Sequence, residues 1–162
     1  MKIILICVLV AILFVMVLLF TPLGERPLSA LYSVGEFETV DFEDIQLTDR
    51  PNQFLTCPPD LCDGQSESPV YELSVQDLHE RWEDIVAAQP RVELLAENSQ
   101  QFDYVQRSAR FRFPDIITVR FISVSPSQST LAIYSRSVYG ESDFGVNRKR
   151  IESWLSAVGG GI

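Results

Sequence analysis

Apolar residues follow three rhythms along this chain. Residues 3–20 are apolar without interruption, with Lys2 in front and Thr21-Pro22 behind. A run of roughly 20 apolar residues crosses the hydrocarbon core of a bilayer, and one apolar on every side needs lipid or a large protein around it. Between Ser74 and Pro90 the rhythm is helical, with Val75, Leu78, Trp82, Ile85 and Val86 on one stripe and Asp77, Glu80 and Asp84 opposite. Ser74 reads as the N-cap and Asp77 as the third helical position. His79 borders the stripe and reads as a boundary residue. After Pro90 the rhythm alternates over 92–95, 102–113, 116–124 and 130–138, broken by Asn98-Ser99, Pro114-Asp115 and residues 125–128. That pattern predicts an antiparallel meander.

In the second of these strands, Val105, Ala109, Phe111 and Phe113 share a face with Arg107, while Tyr104, Gln106, Ser108, Arg110 and Arg112 share the other. The first face is expected to pack on helices and the second to present arginine. A last helix follows the turn Gly140-Glu141-Ser142-Asp143, capped by Ser142 or Asp143, with Ile151, Trp154, Leu155 and Val158 as its stripe and Gly159 as its stop. Asn147 lies one turn before Ile151 on the same face, so its amide is expected to be buried and bonded to the strands.

These elements predict an α+β protein. An N-terminal transmembrane helix precedes a small antiparallel sheet of four to five strands with two helices on one face, in the order β-α-β-β-β-β-α, the first strand at residues 70–73. The order resembles helix-grip folds, whose curved sheets often hold apolar ligands, although fold alone does not establish function. The expected divisions are an anchor at 1–21, an acidic linker at 22–69 that docks from about residue 49, a compact domain at 70–158 and a flexible tail at 159–162. The competing reading of the first segment is a cleaved signal. It is disfavoured because the run exceeds the usual apolar core of a signal peptide, and Leu28-Ser29-Ala30 puts leucine where a small residue is wanted.

Charge divides the chain more sharply than composition does. Of the net −9, residues 21–69 contribute −8, with two arginines against ten Asp and Glu. The bland reading of this stretch is a solvated spacer, yet Val40, Phe42, Ile45, Leu47, Phe54 and Leu55 are more apolar material than a spacer needs. Lys2 before the apolar run, set against Arg26 beside Glu25 after it, leans toward a cytoplasmic N-terminus and a periplasmic domain. Cys7 lies in the apolar run. Cys57 and Cys62 are close enough to bridge in an oxidising compartment, the other reading being two reduced thiols; with His79 as the one histidine, zinc is a poor third.

The segments Arg107-Ser108, Arg112-Phe113-Pro114-Asp115, Ser135-Arg136-Ser137, the run from Gly140 through Asn147 to Ile151, and Trp154-Leu155 resemble the family catalogued as domain of unknown function 1499. The resemblance covers about residues 50–158, with Arg50-Pro51-Asn52 and Cys57 matching its upstream part. It implies a commonly bacterial protein, with relatives in plastids, often preceded by membrane segments. No catalytic residue can be carried over from it.

Eight basic residues fall between Arg107 and Arg150, against Asp115, Glu141 and Asp143. One reading makes them internal ties, with Arg107 or Arg136 forking onto Asp143 or Asp115 in a polar network with Ser108, Ser137 and Asn147 that pins the last helix to the sheet. The other frames a lipid-like or anionic ligand with Arg107, Arg110, Arg136 and Arg148. The two are compatible. The negative charge argues against nucleic acid. With no Gly-x-Ser-x-Gly turn, Walker loop or paired-histidine motif, neither a metal nor another cofactor is expected. The leading expectation is a single-pass, non-enzymatic domain of the cell envelope that meets the bilayer through residues 3–20 and binds a lipid-like or anionic ligand or a partner protein. The alternative is a small hydrolase or transferase working through carboxylates.

Overall fold

A computed structural model describes residues 2–21 and 30–160. Residues 22–29, which hold Glu25, Arg26 and most of the Leu28-Ser29-Ala30 segment, and residues 161–162 of the expected tail lie outside the described residues. Helix α1 (Lys2–Phe20) is 19 residues long, its most apolar 18-residue window has mean hydropathy 3.6, and none of its residues is buried. At 1.5 Å per residue it spans about 28 Å, long and apolar enough to cross a hydrocarbon core of about 30 Å.

The rest is α+β. Strands β1 (Gln53–Cys57) and β2 (Ser66–Glu67) precede helix α2 (Val75–Ala87); β3 (Val92–Glu97), β4 (Gln101–Arg107), β5 (Pro114–Ser125) and β6 (Gln128–Ser137) precede helix α3 (Val146–Gly159). They form one six-stranded sheet in the order β2-β1-β6-β5-β4-β3, antiparallel except for the short β1/β2 pair. The first strand was expected at 70–73, but that segment makes a single bridge, Tyr71 to Ser129. The strand beside β6 comes instead from the stretch read as linker. Cys57 and Cys62 are joined, closing the turn that returns the chain to β2. Gly64 lies so close to Cys57 there that a Cβ would stand 2.9 Å from Ser66 O and 3.0 Å from Cys57 N.

Both packed helices lie on one face of the sheet. Leu78, Trp82 and Val86 of α2 and Ile151, Trp154 and Val158 of α3 meet Phe54, Phe102, Tyr104, Ile117, Val119, Phe121, Leu131 and Ile133. The Trp82 and Trp154 rings meet edge to face at 5.4 Å. Ser74 caps α2 as expected, accepting from Asp77 N at 3.1 Å. His79 sits at the helix edge between the Phe102 and Phe121 rings, at 4.3 and 4.9 Å.

The acidic segment covers the opposite face. Docking was expected from about residue 49, but Val40, Phe42, Ile45 and Leu47 already pack on Leu55, Cys57, Ala132 and Tyr134, and Phe42 is fully buried. Burial of this apolar strip offsets the cost of ordering the strap. Polar ties hold it: Gln101 donates to Val40 O at 2.9 Å, Tyr139 to Ser33 O at 2.8 Å, and Arg120 pairs with Glu43 at 2.6 Å. The tail expected from residue 159 begins inside α3, whose last residue is Gly159.

Candidate functional site

The sheet's alternation sorts its polar residues into two sets. On the helix face, Gln106, Asp115, Ser135 and Ser137 lie beneath the start of α3, where Asn147 and Arg150 share the inner side of the helix. Asn147 is fully buried and its amide is saturated. It donates to Asn52 O at 3.0 Å and Ser137 Oγ at 3.1 Å, and accepts from Ser135 Oγ at 2.6 Å and Arg150 Nη1 at 2.5 Å. Arg150 also donates to Gln106 Oε1 and Asp115 Oδ2, both at 2.6 Å, and Ser137 donates to the other Asp115 oxygen at 2.6 Å. Asp143 closes the seam by accepting from the backbone of Gly145 at 2.9 Å and Asn147 at 2.7 Å, while the N-cap expected at Ser142 or Asp143 falls instead on Gly145, in left-handed backbone at φ 77°.

Of the residues expected in this network, Asp115, Ser137, Asp143 and Asn147 meet in it. Ser108 stands apart, accepting from Phe113 N at 3.0 Å within the β4–β5 connection. The arginine at the centre is Arg150, in place of Arg107 or Arg136. The signal was present in the sequence, since Arg150 follows Asn147 by three and so shares its face.

The four arginines proposed to frame a ligand stand in separate places. Arg107 donates to Tyr32 O at 2.8 Å and Arg112 O at 3.2 Å, tying the strap to the sheet. Arg136 lies under the strap, 5.0 Å over the Tyr134 ring, and its Nη1 is buried with no hydrogen-bond partner among the described residues. Burial lowers the Arg136 pKa and raises that of the Asp103 carboxyl on the same face. An open cleft of about 620 Å³ runs beside Arg136, walled by Glu36, Glu38, Asp41 and Asp44. Those carboxylates oppose an anion. Arg148 pairs with Glu152 at 3.3 Å and lies 4.8 Å over Phe54. Arg110 lies 5.1 Å over the ring of Phe20, at the end of α1.

A second cavity opens where the β4–β5 and β6–α3 connections meet. It measures about 420 Å³ and is walled by Phe111, Phe113, Tyr139, Phe144 and Val146, with the hydroxyls of Ser108, Ser137 and Ser142 and the carboxylates of Asp115 and Asp143. Arg150 and the α3 backbone already engage those carboxylates, which leaves an apolar pocket with hydroxyls for polar contact. The alternation of residues 109–113 suggested a longer β4 with Ala109, Phe111 and Phe113 packed on helices. The strand instead ends at Arg107, Phe111 and Phe113 are exposed on the connection, and the helix-facing side of β4 is the one carrying Tyr104 and Gln106. Arg112 at φ 60° and Phe144 at φ 55° hold left-handed backbone in the two connections. That conformation costs an L-residue about 1–2 kcal/mol, and such strain gathers at functional sites.

The family described as "Protein of unknown function (DUF1499)" matches residues 46–158, and the chain belongs to it. The match spans the sheet and both packed helices and begins after α1 and most of the strap. None of the curated proteins matches the chain.

Proposed function

We propose that this chain is a single-pass, membrane-anchored, non-enzymatic domain of the cell envelope, on the periplasmic side, that holds a lipid-like ligand in the cavity walled by Phe111, Phe113, Tyr139 and Phe144. The observation that carries the reading is an apolar cavity of about 420 Å³ with few free polar groups, in a chain whose first helix is long enough to cross a bilayer. That size falls within the roughly 300–1,000 Å³ of small-molecule sites, which are mostly apolar with a few polar groups that fix orientation. The bridged Cys57 and Cys62 support an oxidising compartment. An amphiphile with an apolar chain and a hydrogen-bonding head matches the lining, the chain lying among the rings and the head reaching Ser108 or Ser142.

Native mass spectrometry of the full chain released in mild detergent tests this. The wild type is expected to carry a co-purifying amphiphile. Phe113→Asp, which sets a carboxylate among the rings, is expected to lose it while the fluorescence of Trp82 and Trp154 keeps its folded form. A wild type that carries nothing, or a variant that carries as much, overturns the reading.

A further inference from the structure

The rim of this cavity is the most exposed aromatic surface of the folded domain, and it stands at the end of the domain where the anchor arrives. Phe144 is 90% exposed and Phe111 48%, a cost in water that monomeric domains usually avoid in a cluster. Arg110, beside Phe111, reaches over Phe20 at 5.1 Å, so the connection touches the last turn of α1. The strap enters at the same end, where Tyr32 packs on Phe113 and Tyr139 at 4.5 and 5.6 Å. The strap's Asp41 and Glu43 are held at the other end of the sheet by Arg120, away from this rim.

From these placements we infer that the rim is a membrane-docking surface: Phe111 and Phe144 enter the interfacial layer of the same leaflet that α1 leaves, and Arg110 meets lipid phosphate. This deepens the proposed function, because it turns the mouth of the cavity toward the lipid from which its ligand comes. Apolar side chains such as phenylalanine bury at the boundary of headgroups and acyl chains, and a basic side chain near an anionic surface adds about 1 kcal/mol of attraction. The left-handed Phe144 aims a bulky ring outward where the fold gains nothing from it.

The test places the full chain in phosphatidylcholine vesicles with brominated acyl chains, with and without phosphatidylglycerol. Phe144→Trp reports from the rim and Val124→Trp from the far hairpin, each read against the buried Trp82 and Trp154. The Phe144→Trp signal is expected to be quenched and blue-shifted and the Val124→Trp signal unchanged, with quenching strengthened by phosphatidylglycerol and that gain lost on adding Arg110→Ala. A rim signal unquenched in both vesicles overturns the inference and favours a protein partner there; equal quenching at both ends overturns it as well. Rim quenching with no co-purifying amphiphile leaves docking standing and removes the ligand reading. A co-purifying amphiphile with an unquenched rim does the reverse.

Discussion

Replacing Arg150 with methionine tests whether the seam beneath α3 holds the helix to the sheet. One guanidinium serves four acceptors there: Gln106 Oε1 through Nε, Ser135 Oγ and Asn147 Oδ1 through Nη1, and Asp115 Oδ2 through Nη2. The Arg150 and Asp115 side chains are only 7% and 13% exposed. Methionine keeps the unbranched stem but leaves Asp115 a near-buried carboxylate with the Ser137 hydroxyl as its remaining donor in the seam. Breaking a buried pair by removing one partner costs about 3–5 kcal/mol, against about 0–1 kcal/mol for an exposed one. The loss is deepened where Gln106 Oε1 gives up its Arg150 bond and Asn147 Oδ1 keeps only the Ser135 hydroxyl, since an under-satisfied acceptor away from water costs about 1–3 kcal/mol. Adding Asp115→Asn removes the stranded charge and keeps an acceptor for Ser137, so the double variant is expected to recover about 2 kcal/mol relative to additivity. Urea unfolding of the full chain in detergent micelles, followed by Trp82 and Trp154 fluorescence, measures all three variants. A single-variant loss below about 1 kcal/mol, or strictly additive effects, refutes the account of the seam as a buried, charge-coupled unit.

Phe42→Ala is expected to cost about 3–5 kcal/mol in the same assay because the ring is fully buried under the strap; an unchanged midpoint would make the strap a spacer. Replacing Cys57 and Cys62 together with serine removes the bridge over their short loop and is expected to cost about 2 kcal/mol, matched by reducing the wild type with a thiol. Burial pushes the Tyr71 and Tyr104 phenols up to about 12 from 10.0. The unfolded chain therefore releases these protons first, so their contribution is fully present below pH 10 and lost as the pH rises to about 12. Urea midpoints that stay flat across that window would contradict the burial of these hydroxyls.

What was legible in the sequence was what had a local period. Helix α1 reads from one apolar run, α2 and α3 from stripes three and four apart, and the meander from alternation. Asn147 could be placed in the core by counting one turn from Ile151. Strand β1 escaped because all five of its residues are buried. Phe54 faces the helices while Leu55 and Cys57 face the strap, so covering on both sides erases the alternation that marks a half-buried strand. The end of β4 was misread for the opposite reason. Alternation continues through Ala109, Phe111 and Phe113 after pairing has stopped, and the exposed rings line a rim that borders no helix stripe. Pro114-Asp115 looked like a turn, but proline is tolerated as the first residue of a strand, and Asp115 lies inside β5 because Arg150 neutralises it.

The placement of the arginines follows from strand parity together with the strap. Side chains on a strand change face at every residue, so Gln106 and Asp115 point at α3 while Arg107 and Arg120 point the other way. On β6, Ser135 and Ser137 lie under the helix and Arg136 opposite. An open sheet would present these three arginines to solvent as a basic surface. Here the acidic strap lies across them, with Glu43 on Arg120, Tyr32 O on Arg107 and Glu38 O near Arg136. The acidity that reads as a solvated spacer is matched to this face at Arg120, which meets Asp41 and Glu43, and two of the four arginines that read as a binding frame, Arg107 and Arg136, turn to backbone carbonyls of the strap. Arg110 stands beyond the last paired residue of β4, where parity and strap no longer assign it a partner on the sheet, and what it meets is the end of α1. The proposed ligand site therefore falls on the connections at that end, where pairing stops and aromatic rings stand open, and not on the arginine-bearing face of the sheet.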